Sequence, residues 1–400
     1  MDRRGRFIRE FVVLSRIFEI SIMSFIIITA FGIFDFVLPL FIEEFASSVA
    51  IIGLAVSLVY MASILSEVPV GILVDKFGRK IVLLVALLAL GVIGGAYFFV
   101  GNIYIIMLLE LIFGIVSVAF WVPSAVLVRD YSPKKMLGES EGVYLSISQI
   151  GWVIGPMIAG LVATRFDIRF NFLIFTGLLF ASFAYGYIVL IEQRERRRPA
   201  FIRIKALALF KEFYKMHEHA LTLFMLSLFV HVWIGVEWVY TQLATQQVFG
   251  LSAELIGFIL GGMMAAEVLL YFPSGYLMDK IGKKYLILAG FLLLFGASYF
   301  TFLSQRIEFA VFMLFLSAGA IGWILPGTEA MLTEIIPANK RGEMTGIFDT
   351  SKDIGLVLGP LIGGIMADLT FNIMTPFLLV TVVSVMGIAF GVRFWTKRVA

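Results

Sequence analysis

The chain has no cysteine among its 400 residues. Disulfides, thiolate zinc sites and cysteine nucleophiles are therefore excluded, although the redox compartment stays open. Charge is scarce as well: Asp, Glu, Lys and Arg make up only 15% of the chain, against about 25% in soluble domains. No GxxxxGK followed by Ser or Thr occurs, so the usual phosphate-cradling loop for ATP is missing and an ion gradient is the natural energy source. His217 and His219 stand two residues apart. Side chains at that spacing diverge on a helix, so no metal site is expected there. No N-x-S/T sequon is found, which suits a prokaryotic plasma membrane.

Apolar residues fill the space that charge leaves. They make up 60% of the chain, with 40 Phe and a mean hydropathy of +1.00. Apolar windows fall at about 18–42, 49–72, 81–100, 102–128, 142–163, 170–191, 219–247, 253–276, 285–303, 307–332, 344–367 and 371–393. Each is long enough for the roughly 20 residues a helix needs to cross a bilayer. The first contains Asp35 and lacks a small-x-small cleavage site, so it reads as a membrane span and not as a cleaved signal peptide. The fold class is thus an all-α membrane protein of twelve spans.

Basic residues set its orientation. All but Arg165, Arg169, Arg306 and Lys352 of the 31 Lys and Arg fall on one side, in alternate loops, in the stretch 193–218 and at the two ends of the chain. The positive-inside rule then places both termini in the cytoplasm.

Two motifs repeat at an offset of 204 residues. Gly71-x-Leu-x-Asp75-Lys76-x-Gly78-Arg79-Lys80 returns as Gly275-x-Leu-x-Asp279-Lys280-x-Gly282-Lys283-Lys284, and Gly151-x3-Gly155-Pro156 returns as Gly355-x3-Gly359-Pro360. A constant offset means two copies of one architecture, which points to a transporter with its site between the copies. Residues 1–192 form the first six-span half, 193–218 a basic cytoplasmic linker and 219–400 the second half. Within the linker, 203–216 has the pattern of an amphipathic surface helix.

Ionisable residues are unevenly spread. Spans 3, 6, 9 and 12 carry none in their interiors but tyrosines, so these spans are expected on the outside against lipid. The other spans carry Asp35, Glu67, Glu110, Glu237, Glu267, Glu329, Asp349, Lys352 and Asp353, while span 5 carries Gln149 and Trp152. An ionised group at the bilayer centre costs about 2.5–3.5 kcal/mol. Eight lipid-facing acids would cost on the order of 20 kcal/mol, more than a fold's net stability of about 5–15. The acids must line water, find partners or carry protons. Asp35 and Glu110 in the first half, Glu237 and Asp353 in the second, with Glu267 and Glu329, are the candidate proton or substrate residues. Trp152, Trp233, Trp238 and Trp323 are candidate aromatic contacts for a lipophilic cation. Gly155-Pro156 and Gly359-Pro360 allow close helix approach and a bend where the halves meet.

These motifs resemble those of the major facilitator superfamily over about residues 17–395. Gly71 to Lys80 resembles the family's loop motif between spans 2 and 3. The Gly151–Gly160 stretch resembles the fifth-span motif of proton-driven antiporters, often drug exporters, and Asp35-Phe-Val-Leu-Pro39 resembles the acidic first-span signature of exporters. One departure stands out: Glu110 occupies the place, four residues before Gly114, where such antiporters carry an Arg. Arg-assisted proton coupling is unavailable there. The resemblance implies a gate in which Arg79 pairs with Asp130, and the repeat adds Lys283 with Glu334. Asp75 and Asp279 are expected at the N-termini of spans 11 and 5. Together these contacts would close the cytoplasmic side.

The reading is a secondary transporter and not an enzyme, without a cofactor, acting as a monomer. It exchanges protons for amphipathic or cationic small molecules. The alternatives are a proton- or sodium-coupled importer of a metabolite, or a non-transporting sensor or lipid-handling protein on the same fold.

Overall fold

Long apolar runs broken by single glycines or short polar turns give helices joined tightly end to end. The structure, a computed structural model, describes residues 3–133, 136–190, 214, 219–336 and 341–396. It contains α1 (Arg3–Glu43), α2 (Val49–Phe77), α3 (Arg79–Tyr97), α4 (Ile103–Tyr131), α5 (Leu137–Arg165) and α6 (Phe170–Val189). Then follow α7 (Ala220–Phe249), α8 (Ala253–Ile281), α9 (Lys283–Phe302), α10 (Ile307–Ile335), α11 (Arg341–Thr370) and α12 (Thr375–Thr396). All twelve are long and apolar enough to cross a membrane. Helix α5 has two segments, Leu137–Ser148 and Ile150–Arg165, joined at Gln149. The amphipathic helix expected over 203–216 lies outside the described residues, Tyr214 excepted.

The repeat is visible in the turns. Gly78 and Gly282, 204 residues apart, are the sole linkers between α2 and α3 and between α8 and α9. Their φ angles are 88° and 95°, a region glycine enters without a Cβ penalty. Several helices overrun their apolar windows, α1 beginning at Arg3 and α2 ending at Phe77, but one starts late. Helix α12 starts at Thr375, not at 371, because Phe371 adopts φ 53° and the Asn372 side chain accepts from the Met374 N–H at 2.9 Å. The chain turns there before it can re-enter the apolar layer.

Packing repeats as well. Helix α1 packs on α5 as α7 packs on α11, α2 on α4 as α8 on α10, and α3 on α6 as α9 on α12. Two seams join the first six helices to the last six: α2 with α11, and α8 with α5. Both are tightest at the end opposite the basic loops. A Cβ on Gly53 of α2 would run into the Pro360 carbonyl and lie 2.7 Å from the Tyr240 hydroxyl. Its repeat mate Gly257 of α8 meets the Pro156 carbonyl, with Gly160 Cα at 3.2 Å. On the axis relating the copies, Gln247 donates to Glu43 at 2.6 Å, and these two are themselves 204 residues apart. That end of the molecule is sealed.

Glycine at the seam is thus a requirement of contact. Gly257→Ala is expected to destabilise the protein by about 1–3 kcal/mol through overpacking. Gly177→Ala in α6, where an added Cβ meets open space, should cost nothing. Thermal unfolding of the detergent-solubilised protein compares the two.

Candidate functional site

Two stacked indoles mark the centre of the molecule. Trp152 of α5 and Trp238 of α7 lie with ring centroids 5.7 Å apart and planes 22° from parallel. Each comes from a different set of six helices. Both rings line two cavities of about 300 Å³ each, so the pair partitions one central space into two lobes. Asp353 and Leu356 of α11 also border both lobes.

The first lobe adds Asp35 of α1, Tyr60, Ser63 and Glu67 of α2, and Phe113, Ser117 and Trp121 of α4. Glu67 and Asp353, one from each set of six helices, face the same lobe. Asp35 also lines a smaller recess beside Trp152, Trp238 and Gln242, and Gln242 donates to the Trp238 carbonyl at 2.6 Å.

The second lobe is lined by Gln149, His231, Glu237, Glu267, Tyr271 and Lys352. Glu237 is 1% exposed, and neither of its carboxylate oxygens has a hydrogen-bond partner among the described residues. Glu267 accepts from the Tyr271 hydroxyl at 2.5 Å. His231 donates through Nδ1 to the Ser227 carbonyl at 2.7 Å, which directs its other ring nitrogen away from its own backbone. Lys352 is held between Glu329 at 2.5 Å and Asp349 at 2.8 Å. Those two acids are 46% and 44% exposed and Trp121 is 42% exposed. The central space therefore communicates with the basic-loop end.

Every residue lining the lobes belongs to α1, α2, α4, α5, α7, α8, α10 or α11. Helices α3, α6, α9 and α12 contribute none, as their composition predicts. Helix α3 is nevertheless not purely lipophilic in its effect. Glu110 of α4 is fully buried and its Oε1 accepts from the Tyr97 hydroxyl of α3 at 2.5 Å. Rings of Phe34, Phe113, Phe172 and Phe175 crowd the same spot. Glu110 shares a face of α4 with Ser117 but lies two turns nearer the sealed end, beyond both lobes.

Other expected residues sort unevenly. Trp152 and Trp238 meet, but Trp233 is fully buried against Phe377 of α12, with centroids 6.1 Å apart. Trp323 lines neither lobe. Gly155 lies in α5 against Gly32 of α1, where an added Cβ would be 2.8 Å from the Gly32 backbone. Gly359 stands likewise against Val232 of α7. Pro156 and Pro360 use their carbonyls at the two seams. Lys283 is hydrogen-bonded to Glu334. Asp75 and Asp279 are exposed, and the Asp130 side chain lies outside the described residues. Reading the sequence alone missed Gly53, Gly257, Gln242 and Tyr271. The first two had a faint signal, being glycines 204 residues apart.

Twelve spanning helices in two related sets, with a charged, aromatic central space open at one end, define a membrane transporter. The sequence profile of the Major Facilitator Superfamily matches residues 20–252 and 220–400, and the chain belongs to that family. It is 26% identical over 360 residues to an uncharacterized MFS-type transporter of Methanocaldococcus jannaschii, covering 88% of this chain and 91% of the other. It is 27% identical over 343 residues to the multi-drug resistance efflux pump PmrA of Streptococcus pneumoniae, covering 82% and 84%. Among solved structures, the nucleoside transporter NupG superposes with a TM-score of 0.76 at 15% identity, covering 95% of this chain and 98% of that one.

The Glu110 pocket separates stability from binding. Tyr97→Phe leaves both Glu110 oxygens without a partner and should cost about 1–3 kcal/mol. The melting temperature is expected to fall while dye affinity for the central lobes, measured by fluorescence titration, is unchanged.

Proposed function

We propose that the chain exports amphipathic, cationic small molecules in exchange for protons, by alternating access. The observation that carries this reading is Glu237. Its buried carboxylate has no partner on either oxygen among the described residues and stands on the wall of a lobe bounded by stacked indoles. An isolated buried carboxylate is costly unless a cation or a proton completes it. Aromatic faces beside it suit the apolar body of such a cation. The likeness to the efflux pump PmrA supports the direction and the substrate class.

On this reading Glu237 and Glu267 take the cationic group in the second lobe, while Asp35 and Asp353 exchange protons in the first. Glu110, shut off from both lobes, is left to hold a proton only. Glu329 anchors Lys352. The halves 1–192 and 219–400 rock about the central space, with the basic loops and both termini in the cytoplasm of a prokaryotic cell. The present arrangement then faces inward. In the opposite state, Asp75 and Asp279, with the pair Arg79–Asp130 and the Lys283–Glu334 pair already formed here, close the cytoplasmic end.

Reconstitution in proteoliposomes under an imposed pH gradient tests this with a panel of cationic dyes. Gradient-driven dye export that is lost in Asp35→Asn is the expected result. Dye or metabolite uptake down the proton gradient would reverse the assigned direction. Glu237→Gln should weaken dye binding roughly tenfold, the equivalent of about 1.4 kcal/mol for one charge-assisted contact. A neutral dye of the same shape should bind both proteins equally.

A further inference from the structure

The two seams that close the end opposite the basic loops occupy equivalent places but are unequally bonded. At the α2–α11 seam, the Asp368 carboxylate of α11 accepts from the Val49 N–H at 2.9 Å and the Ala50 N–H at 3.0 Å. These are the first two residues of α2, whose backbone donors have no partner within their own helix. Adding 204 to Val49 and Ala50 gives Ala253 and Glu254, and subtracting it from Asp368 gives Thr164. The same contact is present there in weaker form. The Thr164 hydroxyl of α5 accepts from the Glu254 N–H at 2.8 Å while donating to its own Gly160 carbonyl at 2.9 Å. A second asymmetry lies deeper. Ser57 of α2 shares its one hydroxyl proton between the Gly53 carbonyl of its own helix at 2.7 Å and the Val357 carbonyl of α11 at 2.9 Å. Its mate is Gly261, which faces the Val153 carbonyl with no side chain to offer.

Hydrogen bonds to a carboxylate are stronger than bonds to a neutral hydroxyl, and a negative charge at a helix N-terminus gains from the helix dipole. The Asp368 contacts are also part-buried, whereas the Thr164 contact is exposed, so water competes less for Asp368.

We propose that the α2–α11 seam, latched by Asp368, is the hinge side of the sealed end, and that the α5–α8 seam is the side that opens. The two halves then swing apart asymmetrically, although the backbone around them is a near repeat. The proposal rests on alternating access but on neither the substrate nor the coupling ion.

The absence of cysteine makes the test direct. Spin labels on the pair Arg165→Cys and Leu255→Cys report the α5–α8 seam. The equivalent pair Leu369→Cys and Ile51→Cys reports the α2–α11 seam. Pulsed electron resonance distances are read in liposomes with and without a cationic dye under a pH gradient. Expected is a longer distance at the first pair and little change at the second. Asp368→Asn, which keeps the shape but removes the charge, should raise the separated fraction at the second pair about tenfold. Thr164→Asp installs the carboxylate at the weaker seam and should lower the separated fraction at the first pair. This gain of closure cannot come from misfolding. Equal opening of both seams, or no response to either substitution, overturns the proposal while leaving alternating access standing. No longer distance at either seam under any condition overturns both.

Discussion

A bilayer interior offers a carboxylate neither water nor counterion, and the arrangement of this chain follows from that. Burying an unpaired charge costs more than most single contacts return, so most of the acids here have a partner. Glu110 has Tyr97, Glu267 has Tyr271, and Glu67 and Asp353 border the open first lobe. Glu329 and Asp349 hold Lys352 between them. Eight helices surround the central space because eight helices carry its polar groups. The remaining four meet lipid, and their apolar composition leaves them no other place. Asp35 has no such partner but borders the first lobe, and the more deeply buried Glu237, which no described residue completes, gives the site its meaning.

Holding two sets of helices together in lipid poses a different problem. Lipid tails are as apolar as leucine, so no hydrophobic drive pulls the sets together. What remains is close backbone contact and a few polar bonds. Gly53 against Pro360 and Gly257 against Pro156 supply the contact. Asp368, Ser57 and Thr164 supply the bonds. Such seams suit a molecule whose halves must part. A broad apolar interface would lock them, whereas a few directional bonds at helix ends can be exchanged for others at the far end at little net cost.

Long-period signals in the chain were legible without coordinates. Twelve apolar runs, the 204-residue offset and the absence of acids from every third run lead to twelve helices and to the identity of the outer four. The Lys283–Glu334 bond follows from charge signs carried across the repeat. What stayed hidden depended on rotation and depth. Trp152 and Trp238 stack across 86 residues of chain, and nothing in either neighbourhood signals the other. Trp233 sits one turn from Glu237 but turns toward Phe377. Glu110 reads like the cavity acids by composition, yet two turns of α4 take it behind Phe113. Nothing in the sequence around Glu67 shows that it faces the same lobe as Asp353 of the other set of helices.

The repeat separates two tasks. Seam residues are shared between the copies: Gly53 with Gly257, Pro156 with Pro360, Gly160 with Gly364. Lining residues are not. Asp35 corresponds to Val239, Glu237 to Ile33, Glu267 to Ser63, Lys352 to Ser148 and Trp152 to Leu356. A switch between two states works best when both have similar free energy. A duplicated scaffold achieves that, because the bonds that break at one end resemble those that form at the other. A ligand has no two-fold axis, so the wall that grips it must break the symmetry. The same break reaches the seams at Asp368 and Thr164. A scaffold with equal seams would have no preferred side on which to open, and the charge on Asp368 supplies one.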